Sequence, residues 1–142
     1  MAAIMKKLLV VSTCSIFLTG CMHLNDPRPK HFRASVTTVA NQVCMMVQPQ
    51  GDEKLISLTI NEVGNDKNPL SKVYYDDAMT IPADACVPTF GYPFKAGKAY
   101  AFSVILESQA KRKRGIQPAA RIYGVSFSLW ENNGKLEANV LQ

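Results

Sequence analysis

The chemically distinctive side chains of this sequence are four cysteines, two histidines and one run of four consecutive cations. A nucleophilic relay needs a hydroxyl or thiol, a base and a group that orients the base. His23 and His31 fall in a polar, proline-containing stretch, and no strained G-x-S-x-G turn is present. The adjacent carboxylates Asp76 and Asp77 project oppositely in extended chain, whereas the acid pair of a glycosidase comes from separate elements at a set distance. That places them in a solvated loop. Phosphate-binding and dinucleotide-binding glycine motifs are absent, and two histidines near one terminus are too few ligands for a metal site. The expectation is a protein without catalytic residues, cofactor, metal or small-molecule substrate, working by contact with another protein.

The first segment sets the compartment. Lys6 and Lys7 precede an apolar run from Leu8 to Gly20, too short for a membrane-spanning helix, which needs about 20 residues. A basic start, a short apolar stretch and small residues form the pattern of an export signal. Initiation at Met1 or at Met5 preserves that pattern. The run closes on Leu18-Thr19-Gly20-Cys21, which resembles the bacterial lipobox. The resemblance implies diacylglyceration of the Cys21 thiol, cleavage before Cys21 and acylation of the freed amine by a fatty acid such as palmitate. Each buried methylene adds about 0.8 kcal/mol, and two or more chains hold a protein on a membrane where one does not. Met22 stands where an aspartate would resemble an inner-membrane retention signal. The expected location is the periplasmic face of the outer membrane of a Gram-negative cell. A cysteine lying by chance beside an ordinary cleavage site is the alternative. Loss of residues 1–20 removes Lys6 and Lys7 and no acid, so the net charge falls from +5 to +3. That is too small to argue for nucleic acid.

Cysteine bookkeeping follows. Cys14 leaves with the signal and Cys21 takes the lipid, so Cys44 and Cys86 remain in an oxidising compartment, where an even pair forms a disulfide. Closing a loop of this length contributes roughly 4 kcal/mol in the chain-entropy treatment.

Three elements are needed to position anything. Residues 1–20 are the signal, 21–32 (with MHLNDPRPKHF after the cysteine) a lipidated tether, and 33–142 one domain. Within the domain, period-two alternation runs through Leu55–Asn61 (Ile56, Leu58 and Ile60 on one face), Tyr100–Leu106 and Tyr123–Leu129, the mark of half-buried strands. Weaker strands are expected at Ala34–Val39, Gln42–Val47, Val73–Tyr75, Thr80–Pro82 and Leu136–Val140. Turn chemistry lies between them at Gln50-Gly51-Asp52, Gly64-Asn65-Asp66, Ala96-Gly97-Lys98 and Asn133-Gly134, the last a tight hairpin. No helical periodicity is visible after the signal. The expected fold is an all-β, single antiparallel β-sandwich of immunoglobulin-like architecture. The Cys…Trp…Cys order of true immunoglobulin domains is absent, because Trp130 follows both cysteines. Tyr100, entering a strand after the Gly97 corner, reads either as a tyrosine corner or as an ordinary core aromatic.

Two segments read as candidate protein-binding surfaces. Lys111, Arg112, Lys113 and Arg114 fall in the loop between two of the strongest strands, suited to an acidic partner or to lipid phosphates, or else a plain solvated charge run. Cys86 to Phe94 carries Phe90, Tyr92 and Phe94 among prolines and a glycine. It is either a core-capping corner or, if exposed, an aromatic contact surface.

The order of LTGC, NDPRPK, PQGDEKLISLTINEVG, CVPTFGYPFKAGKAYAFSVILES and FSLWENNGKL resembles the enterobacterial type VI secretion system immunity periplasmic lipoproteins, from the signal to the C-terminus. That resemblance implies a non-enzymatic, membrane-anchored protein that binds and neutralises a toxin delivered to the periplasm. It carries no catalytic residues across. The alternatives are a structural or assembly lipoprotein that binds another envelope protein, and a hydrolase with clustered carboxylates.

Overall fold

The computed structural model describes residues 28–142; the signal and Cys21 lie outside them. Eight strands and one short helix are described: β1 Lys30–Arg33, β2 Ser35–Val39, β3 Gln42–Met46, β4 Glu53–Glu62, β5 Asn65–Val73, β6 Ala99–Ser108, α1 Gln109–Lys113, β7 Ala120–Asn132 and β8 Lys135–Val140. They form an all-β sandwich. One layer is a six-stranded sheet ordered β1-β7-β6-β4-β5, with β8 also on β7. The other is the β2–β3 hairpin, extended by the irregular segment 74–98.

The three alternating stretches make the centre of the large sheet. Tyr100, Phe102, Val104 and Leu106 of β6 face inward with Tyr123, Val125, Phe127 and Leu129 of β7, all buried. From the opposite layer Val43, Met45, Val47, Ile81 and Val87 close the same core. In β4 the inward set is Leu55, Leu58 and Ile60, not Ile56, Leu58 and Ile60. The register shifts between Leu55 and Ser57, and this bulge takes Ile56 out of alternation. The outer face of these strands carries small residues: Thr59 pairs with Ser103, and Ala101 with Ser126.

Several expected boundaries move. Every pairing is antiparallel except β1 with β7, which is parallel, Lys30 opposite Arg121 through Arg33 opposite Gly124. Strand β1 begins three residues inside the stretch read as tether. No strand covers Val73–Tyr75 or Thr80–Pro82 as units. Val73 instead ends β5, and the later segment contributes only a bridge between Met79 and Leu55. Asn65 and Asp66, expected in a turn, already belong to β5. That strand lies at the sheet edge, where Pro69 costs no ladder hydrogen bond on its open side. The Asn133-Gly134 hairpin is as expected: Asn132 pairs with Lys135, and both turn residues have positive φ, 51° and 77°.

Along its outer edge β7 carries two strands in succession. β1 covers residues 121–124 and β8 covers 127–132. The junction is bridged by the Ala34 N–H to the Gly124 carbonyl and the Leu141 N–H to the Ser126 carbonyl. The hairpin layer is fixed to β8 by the Thr38 hydroxyl donating to the Leu136 carbonyl at 2.7 Å. Asn41 adds two bonds, donating to the Gly134 carbonyl and accepting from the Leu136 N–H.

Tyr100 is both things the sequence left open. Its ring is buried, and its hydroxyl accepts from the Lys95 N–H at 2.8 Å, the bond of a tyrosine corner. Tyr100→Phe leaves that N–H without its partner. It is expected to lower the unfolding free energy by about 1–2 kcal/mol, read in urea unfolding; an unchanged midpoint would make the hydroxyl dispensable.

Candidate functional site

The disulfide is formed: Cys44 and Cys86 are joined, 42 residues apart, with Cα atoms 4.9 Å apart. Cys44 is buried in β3, and Cys86 lies at the surface. Next to it the Val87 N–H donates to the Met45 carbonyl at 2.7 Å. Covalent link and hydrogen bond together dock the aromatic segment onto β3.

That segment divides its rings. Tyr92 and Phe94 turn inward, with centroids 4.9 Å apart, and Phe94 stands edge-on to Tyr100 at 4.9 Å. Burial pushes the Tyr92 phenol above its ordinary range, so it stays protonated. Phe90, by contrast, is 44% exposed and lies under the Lys72 ammonium, 5.4 Å from the ring centroid. Its φ is positive, as is that of Gly91, and this reversal turns Phe90 outward while Tyr92 packs. Between the segment and the β2–β3 turn runs an open groove lined by Asn41, Gln42, Tyr92, Pro93, Phe94 and Leu136. The sequence offered a core-capping corner or an exposed surface; Tyr92 and Phe94 make the first, Phe90 the second.

Three of the four cations, Lys111, Arg112 and Lys113, are not in a loop as expected, and Arg114 is the C-cap in the turn that follows them. Residues 109–113 form helix α1, capped by Ser108, whose Oγ accepts from the Lys111 N–H at 3.2 Å. Five residues are too few for the periodicity by which helices are read. The Ser108 cap followed by Gln-Ala-Lys-Arg-Lys, all residues of high helix propensity, was the available signal. Asp52, fifty-eight residues before Ala110, holds the turn in place. Its carboxylate accepts from the Ser108 hydroxyl at 2.6 Å and from the Ala110 N–H at 2.8 Å. These bonds, Ser108 first, hold the Asp52 carboxyl below its ordinary range. Arg112 pairs with Glu107 at 3.2 Å. Lys111, Lys113 and Arg114 are exposed and make no ion pair among the described residues.

Beside α1 is a polar knot that sequence reasoning missed. Arg121 of β7 grips Glu53 of β4 with two nitrogens, Nε to Oε1 at 2.8 Å and Nη2 to Oε2 at 2.6 Å. It also donates to the Gln48 carbonyl and to the Tyr123 hydroxyl. Its guanidinium lies 5.0 Å from the Phe32 ring and 5.2 Å from that of Tyr123. Glu53 further accepts from the Gln50 N–H. Both charged groups are thereby satisfied, and every buried side-chain polar atom among the described residues has a partner. The knot ties together β1, β4, β7 and the 48–50 turn. Among the described residues no cluster of three or more His, Cys, Asp or Glu could hold a metal ion.

The two candidate surfaces are not brought together. β6 runs from Ala99, beside the Tyr92–Phe94 cluster, to Ser108, where α1 begins. Ten strand residues span about 30 Å. The groove and the cations therefore lie at opposite ends of the sandwich. The chain enters at the cationic end, since Lys30 pairs with Arg121 at the start of β7.

Residues 31–132 match the family described as a domain of unknown function, DUF7480. The chain belongs to the DUF7480 family. The DUF7480 match runs from within β1 to the last residue of β7, so it includes the disulfide, the polar knot and both candidate surfaces, while β8 follows it. No curated protein and no solved structure matches the chain.

Proposed function

We propose that this DUF7480 protein is a non-enzymatic lipoprotein, anchored through Cys21 at the periplasmic face of the outer membrane, that binds and neutralises a toxin delivered by a type VI secretion system. The observation that supports it best is the separation of ends. The chain enters the fold at one end, and the groove beside Tyr92 and Phe94 opens at the other, about 30 Å away. A tether attached in this way leaves the groove facing the periplasm. Confinement near the membrane raises the effective concentration of the binder where a toxin arrives. Rigid aromatic and proline residues, held by a disulfide, form contacts at low entropic cost. The resemblance in the sequence supplies the class of partner.

The test is a competition. A strain lacking this gene is expected to be killed by siblings or neighbours that deliver the matching effector, and to regain resistance when the gene is restored. Equal survival of the deletion strain and its parent against every such attacker would refute the immunity role. Capture of a resident envelope complex by the tagged protein, with no secreted toxin, would transfer the reading to envelope assembly.

A further inference from the structure

We infer that the cationic end of the sandwich is a docking surface for an anionic membrane, one that holds the domain upright with its groove outward. The inference rests on the anchored reading above for its geometry and adds an orientation to it. Lys111 and Lys113 of α1 and Arg114 at its C-cap are exposed without ion pairs among the described residues, and Lys30 opens β1 at the same end. Arg28 is seven residues past Cys21, so a lipid there keeps this end within roughly 25 Å of the headgroups. No other part of the domain is attached so closely.

The acids of this end are largely engaged. Asp52 is bonded to Ser108 and Ala110, Glu53 to Arg121, and Glu107 to Arg112. Asp84 accepts from Gln48. Asp76 and Asp77 follow β5, at the sheet edge farthest from β1, so the positive side is the one over β1, β7 and β6. In its midst Ile116 is 43% exposed, held just past the helix by its N–H to the Lys111 carbonyl at 2.9 Å. An exposed apolar side chain directly after a run of cations suits the headgroup boundary, where charge binds phosphates and the alkyl group enters the acyl region. Each cation near such a surface strengthens binding about fivefold.

The experiment uses the full chain, purified from membranes and reconstituted into vesicles with brominated acyl chains, which quench tryptophan at short range. The one tryptophan, Trp130, lies two residues from the end of β7, away from α1, and reports on the far end. An Ile116→Trp variant in a Trp130→Phe background reports on the cationic end. In vesicles of phosphatidylethanolamine and phosphatidylglycerol, Ile116→Trp is expected to be quenched several-fold more than in phosphatidylcholine, and Trp130 in neither. Lys111→Glu, Lys113→Glu and Arg114→Glu together, or high salt with the unaltered cations, should return the signal to its level in phosphatidylcholine. Quenching of Trp130, or Ile116→Trp quenching indifferent to lipid charge, salt and reversal, would overturn the docking. Flotation separates the two readings. A chain that floats with phosphatidylcholine but shows no charge-dependent quenching keeps the anchor and loses the docking. A chain that floats only with anionic vesicles, and loses this on reversal, keeps the docking and loses the anchor. A chain that floats with neither loses both.

Discussion

Replacing Cys44 by alanine and Cys86 by serine is expected to lower the unfolding free energy by about 4 kcal/mol. The link spans 42 residues, and opening it frees a long loop in the unfolded chain. The loss should be felt most in segment 74–98, which contributes one bridge and no strand to either layer. Without the disulfide, that segment keeps the Val87 hydrogen bond and the packing of Ile81, Val87, Tyr92 and Phe94. Limited proteolysis should therefore cut first between residues 74 and 98, while the β4–β6–β7 centre resists. The Tyr92, Phe94 and Tyr100 rings should lose near-ultraviolet dichroism before the far-ultraviolet strand signal falls. A loss below 1 kcal/mol, with cleavage no faster than in the parent, would assign the docking of this segment to packing alone.

Arg121→Met is expected to cost about 3 kcal/mol, or roughly 10 °C in Tm. The Glu53 side chain is 7% exposed, so removal of the guanidinium leaves a carboxylate out of water with the Gln50 N–H as its remaining bond. The Gln48 carbonyl loses one of its two donors and keeps the Tyr123 hydroxyl. Glu53→Leu with Arg121→Met removes both charges, and the desolvation cost leaves with them, so it should be more stable than Arg121→Met alone. Urea unfolding of parent, singles and double closes the cycle. Additive losses would mean that the two groups do not act as a pair.

The centre of the fold was legible because its strands each bury one face. Tyr100 to Leu106 and Tyr123 to Leu129 alternate without a fault, and the structure buries the expected side of each. β5 was not legible, because Asn-Asp-Lys-Asn-Pro-Leu-Ser-Lys-Val has one partly buried core contact, Leu70, and an open edge. Its pairing is decided by β4, not by its own pattern. β1 was hidden for a similar reason: Lys30 to Arg33 are all exposed and are strand only because β7 offers its outer edge. The disulfide was legible by counting. The polar knot was not, since Glu53 and Arg121 lie 68 residues apart and each alone looks like a surface charge. The placement of the cations and the aromatic groove at opposite ends follows from chain direction in β6, which no local signal carries.

The parallel pairing of β1 also fixes how the domain responds to being pulled. Traction applied ahead of Lys30 acts along the strand axis, away from the body of the sheet. In that direction the bonds to β7, with the Ala34 N–H to the Gly124 carbonyl behind them, share the strain at once. Had the first strand run antiparallel to β7, its leading end would lie at the far end of the sheet, and the same traction would peel the bonds off singly. Four exposed residues, of which Phe32 stacks on the core ring of Tyr123, thus give the sandwich a shear-loaded attachment point, able to bear force between whatever holds the N-terminus and whatever the far end grips.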